Sequence, residues 1–192
     1  MENREQTITR FLSSINMNVN SIEEFKILCK PRKINKDEHF LRKNQIIKKV
    51  GLITSGIFRV YTVNNKCDET NILFSMEGGM LTGSFVPGFP SDVNIQAITD
   101  AEILEIDFEQ LLSFLDKDGN SKNQSLHLAA VHSGIQEKFT QMISLNAQER
   151  YLVFLEEYPN LINRIPHYHI ANYLGISTTQ LSRIRNKISQ TK

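Results

Sequence analysis

YLGISTTQLSRIRNKI, residues 173–188, is the stretch on which the architecture turns. It joins an apolar turn ending at Gly175 to a run of small polar residues and then to Arg183, Arg185 and Lys187, with no acidic residue among them. A merely solvated helix with those cations would normally carry Glu or Asp partners at a spacing of four. Leu181, Ile184 and Ile188 recur at helical spacing, so the segment folds and is not a loose basic tail. Ser177 is placed as its N-cap, and IPHYHIANYL, residues 165–174, supplies a preceding helix that starts after Pro166. Two helices joined by a turn of about three or four residues containing Gly form a helix-turn-helix. Ile170, Ala171, Leu174, Ile176, Leu181 and Ile184 make its internal core, and the rest of the second helix faces outward.

A helix that enters the major groove needs short polar side chains near its N-terminus and basic ones beside the phosphates. Ser177, Thr178, Thr179 and Ser182 can approach base edges, and Arg183, one turn beyond Thr179, can reach the two acceptors of guanine. Gln180 suits an adenine or a phosphate, Arg185 and Lys187 suit phosphates, and His167 and Tyr168 can touch the DNA backbone from the preceding helix. From Tyr158 to Lys192 there is no Asp or Glu, although the whole chain carries a net charge of only +1. A positive end is thus separated from a mildly acidic remainder, the charge distribution of a nucleic-acid-binding segment.

The chain's 192 residues, 40% hydrophobic, fit one large domain or two small ones. No window approaches the roughly 18 apolar residues of a membrane span, and MENREQTITR lacks a signal-peptide pattern, so a cytoplasmic protein with no membrane partner is expected. Cys29 and Cys67 have neither the number nor the spacing of a disulfide framework, a zinc site or an iron–sulfur cluster. Both are expected to be reduced thiols, and no metal or cofactor is expected. His39, His127 and His132 are isolated, the pattern of surface or core histidines and not of a haem site.

ITRFLSSI (8–15) and NSIEEFKILCK (20–30) read as short helices, the second capped by Asn20 or Ser21 and stopped by Pro31. From about residue 31 to 106 the period changes to short, alternating, β-branched runs separated by Gly, Asn, Asp and Pro, as in a sandwich or barrel. In IFRVYTVNNKCDETNILF (57–74) two strands flank Asn64 and Asn65, which suit the positive φ angles of a tight hairpin. DFEQLLSFL (107–115) returns to helical spacing, and DKDGN breaks it.

From about Ser121 to Leu145 the chain can form one long helix. Leu128, Val131, Ile135, Phe139 and Met142 recur along it at steps of 3, 4, 4 and 3, the roughly 3.5-residue coiled-coil period. Packing on the β domain would also produce such a stripe, but so long a helix is difficult to bury within one subunit, and a parallel homodimer is expected. NAQERYLVFLEEYP (146–159) follows, with Asn146 and Glu149 as a capping box.

This order of parts resembles the bacterial transcription regulators of the CRP/FNR family over nearly the whole chain. The most specific stretches are VGLITSGIFRVY (50–61) and AQERYLVFLEEYPNLINRIPHYHIANYLGISTTQLSRIRNKI (147–188). The resemblance implies an α+β fold: an N-terminal β-roll, double-stranded and jelly-roll-like, over residues 1–120, a dimerisation helix over 121–145, and a C-terminal winged helix-turn-helix over 146–192. It places Arg183 at the family's base-reading arginine and Thr178 and Thr179 at the two preceding recognition positions. The family's common pair there is Arg-Glu, so a different operator is implied, and little sequence follows for a wing. Double-stranded DNA, a second copy of the chain and RNA polymerase are the implied partners, with an unidentified small-molecule effector left open.

Cyclic-nucleotide-binding members hold the phosphate with Gly-Glu, then Arg and Ser or Thr before a Val-Arg-Ala strand. Here TGSFVPGFPSDVNIQA (82–97) puts Gly83 and Ser84 in place of the first pair and Ser91 and Asp92 in place of the second. Burying a phosphate needs compensating charge, which Asp92 opposes, so usual binding of cyclic AMP or cyclic GMP is not expected. The family's oxygen sensors use an N-terminal cysteine cluster, which this N-terminus lacks. Two other classes compete with this reading. A cupin-type enzyme needs clustered His and Glu ligands, whereas residues 31–106 offer only His39, so no enzyme is expected. A dimeric regulatory or scaffolding module with a ligand-binding β-roll and no DNA binding is the alternative.

Overall fold

The alternating segments pair as antiparallel strands because each has one face that must be hidden from water. In the computed structural model, which describes residues 4–15, 17, 21–84, 86–116 and 140–190, these strands are β1 (Lys30–Ile34), β2 (His39–Leu41), β3 (Lys49–Ser55), β4 (Phe58–Val63), β5 (Glu69–Ser75), β6 (Met80–Leu81), β7 (Asn94–Ala97) and β8 (Ala101–Asp107). They form two four-stranded sheets, ordered β1-β8-β3-β6 and β2-β7-β4-β5. The chain divides into two compact units, Met1–Thr62 with Ile72–Ala130, and Val63–Asn71 with Val131–Lys192.

The first unit is the β-roll. Phe40, Leu41, Val50, Leu52, Phe58, Ile95 and Ile103 are buried in one apolar cluster. Helices α1 (Arg4–Ser14), α2 (Ile22–Leu28) and α3 (Phe108–Asp116) add to that cluster through Phe11, Phe25 and Phe114. The Phe11 and Phe25 rings lie 5.5 Å apart and those of Phe25 and Phe114 5.3 Å apart, a spacing favourable for aromatic pairs. On the sheet surface Glu105 accepts from Arg32 Nη1 at 2.9 Å and from Lys49 Nζ at 2.5 Å. Burial pushes the Glu105 carboxyl up, but these two cations outweigh it and hold it below the usual carboxylate range.

The β4–β5 hairpin forms, but its turn differs from the expected one. The left-handed residue is Cys67, with φ 65°, and neither Asn64 nor Asn65 has a positive φ. Asn64 Oδ1 accepts from the backbone N–H groups of Lys66 at 2.8 Å and Asp68 at 3.0 Å. This side-chain anchoring favours a longer loop over a two-residue turn and carries the left-handed conformation to Cys67.

Apart from residues 63–71, the described residues of the second unit form helices joined by short turns. Residues 140–144 are helical, followed by α4 (Ala147–Glu157), a 3-10 turn at Leu161–Asn163, α5 (His167–Tyr173) and α6 (Thr178–Gln190). The capping box is present: Asn146 accepts from the Gln148 and Glu149 N–H groups, and Glu149 reaches back to the Asn146 N–H at 2.8 Å. The expected wing is not found: no strand occurs among described residues 140–190. Instead Pro159, a left-handed Asn160 and Pro166 bracket the 3-10 turn, a local geometry unsuited to a hairpin. Of the expected dimerisation stripe, Leu128, Val131, Ile135 and Phe139 lie outside the described residues, as do His127 and His132, and Met142 is exposed.

Candidate nucleic-acid interface

α5 and α6 are joined through residues 174–177. Gly175 adopts φ +66°, a left-handed conformation that reverses the chain at little cost only without a Cβ. The Gly175 N–H then bonds the Asn172 carbonyl at 3.1 Å, and the Ile176 N–H bonds that of Ala171 at 3.0 Å. Ile170, Ala171, Leu174 and Leu181 are buried between the helices, while Ile176 and Ile184 are half-buried. Behind them Phe154, Tyr158 and Tyr173 pack ring to ring at 5.3–5.8 Å.

Arg150 fastens this assembly. Its Nε donates to the Leu174 carbonyl at 3.1 Å and its Nη1 to the Leu145 carbonyl at 2.6 Å, satisfying carbonyls at two helix ends. Within the same unit Asn71, only 3% exposed, donates from Nδ2 to the His169 carbonyl at 2.9 Å and from its N–H to Asn172 Oδ1 at 2.6 Å.

Burial of Leu181 against the protein turns the opposite side of α6 to solvent. Ser177, Thr178, Thr179, Gln180, Ser182, Arg183, Asn186 and Lys187 are exposed and Arg185 is half-buried. They do not all remain available. Ser177 Oγ accepts from the Gln180 N–H at 3.2 Å, and Gln180 Oε1 accepts from the Ser177 N–H at 3.0 Å. This reciprocal cap holds both side chains on the helix end, which turns Gln180 away from the base- or phosphate-contacting role expected of it. Arg185, expected at a phosphate, has Nη1 3.0 Å from His167 Nε2. The buried Tyr151 phenol is pushed up by burial, an effect opposed by the same guanidinium. Thr178, Thr179, Ser182 and Arg183 have no side-chain partner among the described residues and share one face. Asn186, not singled out from the sequence, is exposed on that face with its amide unbonded; its spacing of three from Arg183 and four from Ser182 was the available signal.

Tyr168 is exposed on α5 beside the buried His169, their rings 4.1 Å apart, and His167 is exposed at the first turn.

In the β-roll the residues of the degenerate pocket, Gly83, Ser84, Ser91 and Asp92, have the following surroundings. Ser91 is fully buried, and a Cβ at Gly83 would fall 2.1 Å from Ser91 Oγ and 2.5 Å from Leu41 Cδ2. Ser91 Oγ donates to the Val93 carbonyl at 2.7 Å. Ser84 Oγ accepts from the Val86 N–H at 3.1 Å. Asp92 is exposed beside the buried Ser91.

Residues 31–118 match the cyclic nucleotide-binding domain family. The fumarate and nitrate reduction regulatory protein of Vibrio cholerae is 20% identical, over 97% of this chain and 80% of that protein. Among solved structures, FixK2 from Bradyrhizobium japonicum superposes with a TM-score of 0.68 at 18% identity, covering 85% of each chain. A CooA variant from Carboxydothermus hydrogenoformans gives 0.68 at 19% identity, covering 94% of this chain and 84% of that one. Residues 31–118 thus carry a cyclic nucleotide-binding-type β-roll. With its C-terminal helical unit, the chain is similar over nearly its whole length to transcription regulators of the CRP/FNR type.

Proposed function

We propose that this regulator binds double-stranded DNA with α6 as the recognition helix of a helix-turn-helix. The observation that carries this is the outward stripe of Thr178, Thr179, Ser182 and Arg183, whose side chains have no partner among the described residues and which faces away from the buried Leu181. Short polar side chains can meet base edges closely, while Arg183 matches the paired acceptors of guanine. His167 and Tyr168 face the phosphates from α5, and Lys187 flanks the stripe on the second helix.

The protein acts as a homodimer through the helix proposed for residues 121–145, with residues 1–120 as the sensor domain and 146–192 as the DNA-binding domain. Met142 and Ile143, 39% and 74% exposed, support an apolar partner on that helix. Two recognition helices about 34 Å apart would read a near-palindromic operator. RNA polymerase is the further protein partner and the cytoplasm the location, with an unidentified small-molecule effector left open and the usual binding of cyclic AMP not expected. No chemistry is assigned to the chain. Mobility shifts of genomic fragments with rising salt test this: specific complexes should outlast non-specific ones, and a chain that shifts no fragment would leave the scaffolding alternative.

A further inference from the structure

We infer that Asn186 is an additional base-reading residue, so that each half-site contains an adenine recognised by its side-chain amide. The inference rests on α6 being the recognition helix and deepens that reading. At 100° per residue Asn186 falls between Ser182 and Arg183 around the helix, about 20° from Thr179. It therefore sits near the midline of the outward stripe, almost opposite Leu181, the buried residue of this helix.

The distribution of charge around α6 makes the same point. Arg185 and Lys187 project from the two flanks of the stripe, and Arg185 is already turned to His167. The midline position one turn beyond Arg183 carries a neutral amide, where a helix that only dipped its first turn into the groove would gain from a cation beside the phosphates. The Asn186 side chain is exposed and makes no hydrogen bond among the described residues; Ser189 Oγ donates to its backbone carbonyl at 2.9 Å. An amide left free there is suited to a partner that both donates and accepts. Adenine offers that pair in the major groove, N6 donating to Oδ1 and N7 accepting from Nδ2. Arg183 and Asn186 are separated by about 4.5 Å of helix rise, so the guanine and the adenine lie within one or two base-pair steps of roughly 3.4 Å.

Binding-site selection from random duplex DNA, run on the full chain and on Asn186→Ala, tests this. The wild type should enrich an adenine beside the guanine assigned to Arg183. Asn186→Ala should lose preference at that adenine alone and weaken the selected site roughly 5- to 150-fold, with non-specific affinity and salt slope unchanged. Asn186→Lys should also lose the adenine while strengthening non-specific binding, with circular dichroism reporting that both variants fold. An unchanged motif in either folded variant, or uniform weakening of all sequences by Asn186→Ala with a shallower salt slope, overturns the inference while the DNA-binding reading survives. A wild-type chain that enriches nothing overturns both.

Discussion

The Arg185 guanidinium nitrogen Nη1 lies 3.0 Å from Nε2 and 3.1 Å from Nδ1 of His167, linking the middle of the second helix to the first turn of the one before it. Because Arg185 also interacts with Tyr151, one side chain ties three helices together. Arg185→Ala should therefore lower the thermal stability of the folded chain by about 1 kcal/mol. The slope of log affinity against log salt should stay as in the wild type. A loss of about one unit of slope would instead make Arg185 a phosphate contact.

Arg183 has no such partner among the described residues. Arg183→Ala should leave the melting temperature in place, cost about 1–3 kcal/mol on a cognate site and relax discrimination at one base pair. Lys187→Ala should weaken cognate and random duplexes alike. Equal loss of specific and non-specific affinity in Arg183→Ala would remove it from the base-reading set.

Gly83, Ser84, Ser91 and Asp92 supply no cation for a buried cyclic phosphate. Calorimetric titration with cyclic AMP and cyclic GMP should give no micromolar binding. A Cβ at Gly83 would meet Ser91 Oγ and Leu41 Cδ2, so Gly83→Ala should overpack the site and destabilise the β-roll by about 1–3 kcal/mol, seen as a lower unfolding midpoint. Micromolar affinity in the wild type would show that other groups compensate the phosphate charge.

Glu105 lies below its ordinary value of 4.5 in the folded chain. A carboxyl depressed by folding contributes stability above its unfolded pKa and loses it as pH falls through the folded one. Acid titration of stability should thus show a loss beginning near 4.5 and continuing below it. Glu105→Gln should flatten that part of the profile while lowering stability at neutral pH, because Arg32 and Lys49 lose their shared partner.

The two thiols should differ sharply. Burial pushes Cys29 up to about 12, and its Sγ donates to the Phe25 carbonyl at 3.2 Å, whereas Cys67 is exposed on the hairpin loop. The thiolate is the reactive species. Iodoacetamide at neutral pH should therefore label Cys67 in the native chain and reach Cys29 only after denaturation, with mass spectrometry reading both sites. Equal labelling rates would mean that the α2 end opens readily.

Periodicity made the strands, the helix pair and the Asn146 cap legible in advance, because each depends on residues a few positions apart. The unacidic Thr-Ser-Arg face of residues 178–183 was likewise visible as composition. Local sequence did not say which polar groups would be used inside the protein. Gln180 and Arg185 seemed as available as Arg183, yet one closes a cap and the other meets His167 18 residues away. The hairpin likewise moved its left-handed residue to Cys67, through hydrogen bonds that Asn64 accepts. The pairing of Asn71 with His169, 98 residues apart, has no local signal at all. Pattern alone determined what each segment buries, since hydrophobic spacing acts within a few residues. Only the tertiary structure decided which exposed donors stay free, since a hydrogen bond depends on where distant segments meet.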